Sequence, residues 1–289
     1  MDQPSGADLI AHAQQQDGLA RNRSPLTFFV LVCALTIPFV LAGAATGLEL
    51  LPGLPVAALA FICPGTAAVI LVYRENRTAG VTALLKRSVD APRIRAKVWY
   101  APLLLLQPGV IVVSYAALRV LGVPLPPPQF PVLTATVLFL VFFISALGEE
   151  LGWSGYVIDP LQERWGALPA SLLLGVVWAA WHVVPLVQAH RSPTWIAWWG
   201  LYTVAARVLI VWFYNNTGKS VVAAALFHTT LNVTWMLFPI VGSYFDPRVT
   251  GLIDTGVAAL VTALWGPRTL AHFRTAWCRP PPTDGMLPV

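Results

Sequence analysis

Apolar residues run through this chain in long blocks rather than short alternations. Eight blocks occupy roughly residues 26–47, 54–73, 99–121, 131–157, 168–188, 194–215, 219–241 and 251–267. Each is near the ~20 residues that a helix needs to cross ~30 Å of hydrocarbon. The pattern predicts an all-α fold, a polytopic integral membrane helical bundle of about eight transmembrane helices. Proline interrupts several blocks, as in "TIPFV", "ICPGT" and "LLQPGV". In a bundle it marks a kink or a boundary, because neighbouring helices re-satisfy the freed backbone groups.

Composition agrees and excludes a soluble domain. Of 289 residues 57% are hydrophobic and only 11% charged, against about 25% charged in an ordinary soluble domain. The cations are unevenly placed. The connection after the second block carries Arg74, Arg77, Lys86, Arg87, Arg93, Arg95 and Lys97, and the positive-inside rule puts it in the cytoplasm. Both termini follow it there, in agreement with Arg21 and Arg23 at one end and Arg268, Arg274 and Arg279 at the other. The net charge of +5 reads as affinity for anionic lipid at the cytoplasmic face and not for nucleic acid, since no basic run is interleaved with aromatics on a soluble surface. The expected organisation is a cytoplasmic tail over 1–25, a transmembrane domain over 26–267 and a proline-rich cytoplasmic tail over 268–289. The polar N-terminus lacks a short apolar core with a small-residue cleavage site, so it is not read as a signal peptide. The expected location is the plasma membrane of a bacterium. Cys33, Cys63 and Cys278 are scattered and suggest neither a disulfide framework nor a thiolate metal site.

Against this apolar background a few polar side chains stand out. Glu149 and Glu150 end the fourth block, His182 lies in the fifth, Arg207 in the sixth, and His228 with Asn232 in the seventh. Ionisable groups are costly in hydrocarbon, so they usually face a bundle interior or a wet cavity and serve function. His228 and Asn232 are four apart and share one helical face. Glu149 and Glu150 are adjacent and point about 100° apart, which lets one face a cavity while the other faces a neighbouring helix. Trp178 stands one turn before His182 on the same face and can hold its ring. Two histidines, a buried glutamate and an asparagine on three helices supply a water-activating base, candidate metal ligands and oxyanion donors, the roles that peptide hydrolysis requires.

The ordered motifs "EELGWSGY", "WAAWH" and "FHTTLN" resemble those of the CAAX protease and bacteriocin-processing family, intramembrane proteases that include the Ras-converting CAAX prenyl endopeptidases. The resemblance implies an intramembrane endopeptidase, of the metalloendopeptidase type in some accounts, that cuts a membrane-embedded or lipidated, for instance prenylated, protein or peptide. By the same resemblance Glu149 is the general base, His182 orients the water directly or through a zinc ion, and His228 and Asn232 are the oxyanion donors. Glu149, His182 and His228 form the candidate Zn²⁺ ligand set, with a fourth position for water; glutamate-only chemistry is the other reading. The family's usual phenylalanine is Trp178 here, and its arginine four residues after the second glutamate is Ser154. Glu150 then needs another partner. Arg207 can take that place, with Glu150, Arg207 and Trp178 as structural support, or it can instead snorkel to the headgroups.

Two other function classes stay open: a catalytically inactive relative acting as an immunity or scaffold protein, suggested by Ser154, and a transporter, which lacks support from any internal repeat. Depth adds one more condition. Counted from the cytoplasmic ends of the blocks, Glu149 and His228 lie ~14 Å deep and His182 ~20 Å deep. His182 therefore joins the site only if its helix tilts strongly or starts in a cytoplasm-facing cavity.

Overall fold

The computed structural model describes residues 24–127, 131–238 and 244–271. The expected tails fall outside the described residues up to residue 23 and from residue 272 onward. The helices are α1 (Pro25–Thr46), α2 (Ile62–Lys86), α3 (Tyr100–Val120), α4 (Val132–Gly152), α5 (Ile158–Trp165), α6 (Ala167–Gln188), α7 (Pro193–Asn216), α8 (Val221–Leu237) and α9 (Pro247–Trp265). A short antiparallel hairpin, β1 (Glu49–Leu51) and β2 (Leu54–Pro55), joins α1 to the 3₁₀ turn that leads into α2. Among the described residues seven helical spans are long and apolar enough to cross a membrane, and α8 makes a shorter eighth of 17 residues. The polytopic helical bundle expected from the apolar blocks is therefore present.

Local chemistry explains where the helices begin and end. Ser24 accepts a hydrogen bond from the Thr27 amide with Pro25 in the first turn, and Gly47 closes α1 in the left-handed conformation (φ 62°), a conformation that costs glycine little. Ser192 and Ser220 cap α7 and α8 in the same way as Ser24. Asp90, from the cationic connection, adds a second anchor to α8. Its carboxylate accepts from Ser220 Oγ at 2.7 Å and from the Val221 and Val222 amides at 3.1 Å each, placing negative charge at a helix N-terminus.

Two elements run beyond their apolar blocks. α2 continues through a kink at Arg77 (φ 54°, ψ −150°) as far as Lys86. What reads as a loop after residue 73 is helical because Leu84 is buried there. α4 continues through a π-helical turn, Trp153–Val157, into α5, which ends at Trp165. Every residue of that turn is buried, and such turns are frequent at functional sites.

α7 is the central post. It packs against α6, α8 and α9, and residues 205–214 are all buried, as expected of a helix that is apolar on every side. α4 lies against α2 and α8. Its contact with α2 is made by glycines that bracket the two glutamates. A Cβ on Gly152 would strike the Pro64 carbonyl, and one on Gly65 would meet the Gly148 carbonyl oxygen at 2.6 Å. Gly148 and Gly152 thus form a G-x-x-x-G face, which lets helix backbones approach closely in a membrane.

Candidate active site

The two adjacent carboxylates face different surroundings. Glu150 is 0% exposed and is held by three side chains. Arg207 Nη1 donates to both of its oxygens at 3.0 Å, Ser154 Oγ donates to Oε2, and His228 Nδ1 lies 3.0 Å from Oε1. Ser154 follows Glu150 by one helical turn, so the residue that stands where the family carries arginine still bonds the same carboxylate. The charge comes from Arg207, which is itself 0% exposed. Burial and the 3.0 Å contact rule out snorkelling for this side chain.

Arg207 is positioned by close helix packing. A Cβ on Gly175 of α6 would meet the Val204 Cα at 3.0 Å and the Arg207 Cβ at 3.3 Å, so α6 and α7 nearly touch there. One turn further along α6, the Trp178 ring lies under the guanidinium, 4.1 Å from ring centre to Cζ. This cation–π contact is one of three tasks for Trp178. Its Nε1 donates to Glu149 Oε2 at 2.9 Å, and its ring meets His228 edge-on at 5.0 Å.

Glu149 is 5% exposed and lies at one end of a cavity of about 530 Å³. Trp153 also donates to its Oε2, at 3.3 Å, so two indoles hold one oxygen. Neither donor is apparent from composition, although Trp153 follows Glu149 by one turn and spacing alone would place it within reach. His182, His228 and Asn232 line the same cavity. His182 donates from Nδ1 to the Trp178 carbonyl oxygen at 2.8 Å, with the rings of Trp178, Trp181 and Trp199 around it at 4.7–5.5 Å. This leaves the lone pair of Nε2 as the acceptor of the neutral ring.

The depth condition on His182 is met in a third way. Helical side chains lean toward the N-terminus of their helix, so Trp178, not His182, reaches down to Glu149. His182 sits one turn higher, and the cavity spans both levels. Its walls run from Glu149 toward the β1–β2 hairpin and Ala189.

The zinc expectation finds no matching donor set. Among the described residues no three His, Cys, Asp or Glu side chains stand together as a metal ion would need. Glu149, His182 and His228 therefore do not form a three-donor set as arranged, and no step below passes through a metal.

Fold and site together define an integral membrane protein with a carboxylate–histidine centre inside its helical bundle, at the foot of an apolar cavity. Residues 131–234 match the family described as type II CAAX prenyl endopeptidase Rce1-like. A curated relative, CAAX prenyl protease 2 of Methanococcus maripaludis, is 35% identical over 136 residues, which are 44% of this chain and 47% of the relative. The chain thus spans about half the length of that relative. The family segment holds Glu149, Glu150, Trp178, His182, Arg207, His228 and Asn232, so the resemblance carried by the three motifs is borne out over the part that contains the site.

Proposed function

We propose that the protein is an intramembrane endopeptidase of the CAAX-protease type, acting on a membrane-associated protein or peptide. The observation that carries this reading is the Glu149 carboxylate, with one oxygen held by two indoles, facing a cavity that two histidines and an asparagine also line. Glu149 takes a proton from water as general base while the water oxygen bonds to the scissile carbonyl carbon. His182 orients that water by accepting from it at Nε2. The oxyanion is met by Asn232 and by His228. Each donor of this kind has been worth roughly 2.7–4 kcal/mol where tested. Collapse breaks the C–N bond, and Glu149 returns its proton to the leaving amine. Glu150, Arg207 and Ser154 hold His228 and Trp178 in place and do not touch the substrate.

The test uses the purified full chain in proteoliposomes with a quenched-fluorescence peptide that carries an apolar stretch. Glu149→Gln should abolish cleavage and leave the detergent melting temperature unchanged. Near-wild-type cleavage by this variant would remove Glu149 from the base role.

A further inference from the structure

One membrane-embedded acid has no part in the chemistry above. Asp254 of α9 lies about 10 Å into its helix and is 0% exposed. Glu150, the comparable buried acid of α4, has the Arg207 guanidinium at 3.0 Å, whereas no cationic side chain among the described residues pairs with Asp254. What meets it is Gln107 of α3, also fully buried, whose Nε2 donates to Oδ2 at 3.3 Å. Two oxygens are then left over. Asp254 Oδ1 and Gln107 Oε1 are both buried and both lack a hydrogen-bond partner among the described residues. Each is an acceptor while the acid is ionised, so neither can satisfy the other. The contact between α3 and α9 holds a second polar pair, Ser114 and Thr250, fully buried and 2.9 Å apart. Tyr202 faces Asp254 from α7, and its phenol carries no charge near neutral pH.

A carboxylate inside a helical bundle is costly unless something neutralises it. Arg207 is committed to Glu150, so the charge on Asp254 must be met from outside the chain. A water molecule can donate to both orphan oxygens, but it leaves the charge in place. One unit of positive charge answers both needs. We propose that Asp254 and Gln107 form a binding site for a single monovalent cation, taken from the medium as Na⁺ or as a proton. A proton bonds to Oδ1 and is shared with a neighbouring acceptor such as Gln107 Oε1, while Na⁺ is held by the same oxygens directly. Either one balances the single negative charge. A divalent ion would leave charge in excess, and among the described residues no three His, Cys, Asp or Glu side chains stand together to hold one. Gln107 and Asp254 both lie outside the family segment, residues 131–234. The bound cation therefore belongs to the frame around the active site, where it fastens α9 to α3. Since α9 also packs on α7, it steadies the helix that carries Arg207.

The test melts the full chain, purified in detergent, across two titrations. In one, Na⁺ replaces N-methylglucamine at constant ionic strength and pH; in the other, pH is varied at fixed Na⁺. Wild type, Asp254→Asn and Gln107→Leu are compared in both. Asparagine puts an uncharged N–H donor where the cation would sit. A bound Na⁺ raises the wild-type melting temperature with Na⁺ concentration by mass action. A bound proton leaves Na⁺ without effect and makes the melting temperature fall as pH rises, because the folded chain holds a proton that the unfolded chain has released. The expected result is one of these dependences in wild type and its loss in Asp254→Asn, and which one appears names the cation. Gln107→Leu removes one of the two oxygens and should move the midpoint to higher Na⁺ or to lower pH, which keeps the test decisive should Asp254→Asn not fold. Identical Na⁺ and pH responses in wild type and Asp254→Asn, or an unmoved midpoint in Gln107→Leu, would overturn the site. Neither titration reads cleavage, so the outcome stands apart from the protease reading.

Discussion

Glu149 and Glu150 are neighbours in the chain with opposite tasks, and the difference lies in what each carboxylate touches. Glu150 is spent on Arg207, Ser154 and His228, whereas Glu149 keeps one oxygen free of the two indoles and presents it to the cavity. Removing one partner of a buried ion pair typically costs roughly 3–5 kcal/mol, because the other charge is left uncompensated. Arg207→Leu should therefore lower the melting temperature sharply. Adding Ser154→Arg should recover part of the loss by returning a cation to Glu150 from the next turn of its own helix. In a wild-type background the same Ser154→Arg should destabilise, since residue 154 is buried and Glu150 already has its cation. Additive shifts across this four-variant set, read in one detergent, would show that the two positions do not share a partner. The histidines lead to a second expectation. Glu149, His182 and His228 do not stand together as a metal-ligand set, so treatment with 1,10-phenanthroline should leave the cleavage rate unchanged. Activity lost to the chelator and restored by added zinc would return a metal to the mechanism.

Helix contacts decide whether those side chains can meet. α4 comes close enough to α2 for Glu149 and Glu150 to sit inside the bundle because Gly148 and Gly152 remove side chains from the contact face. Gly152→Ala should strongly reduce stability, since its Cβ would strike the Pro64 backbone, which cannot swing aside as a flexible side chain can. Gly256→Ala in α9 is the matched control, as nothing lies within 4 Å of its added Cβ; there alanine should be neutral or slightly stabilising, by up to roughly 1 kcal/mol from helix propensity. Equal melting of the two variants would mean that close approach of α4 to α2 contributes nothing. The cap that Asp90 places on α8 is the other fixture, since it ties the cationic connection to the helix that carries His228 and Asn232.

The assembled bundle adds a property that no single helix has, a cavity of about 530 Å³ lined mostly by apolar side chains. Such a shape selects ligands by length and hydrophobicity more than by charge. Ser145 lines the cavity one turn before Glu149 on α4. Ser145→Trp should raise KM for peptides with a long apolar run more than it lowers kcat, with little change in melting temperature. A fall in kcat alone would mean that the substrate does not occupy the cavity above Glu149.

Much of this was legible in one dimension. Six of the eight apolar blocks locate their helices to within a few residues, because crossing hydrocarbon demands a minimum apolar length whatever the neighbours are. The rarity of charge in such blocks singles out Glu149, Glu150, His182, Arg207, His228 and Asn232, and the 100° offset of adjacent helical residues separates the two glutamates. Spacing also places Ser154 and Trp153 one turn from the carboxylates they bond. Contacts between helices were not legible in this way. Nothing local says that Trp178 stacks on Arg207 while donating to Glu149, or that His228 rests on Glu150, since those pairs are 29 to 78 residues apart and meet only when α4, α6, α7 and α8 pack. The helical continuation of α2 past Arg77 and of α4 into its π-helical turn also follows from burial against distant residues. Where the bundle keeps a cavity is likewise a matter of packing: composition sets how much apolar surface must be covered, and only the three-dimensional fit of side chains determines where a gap is left.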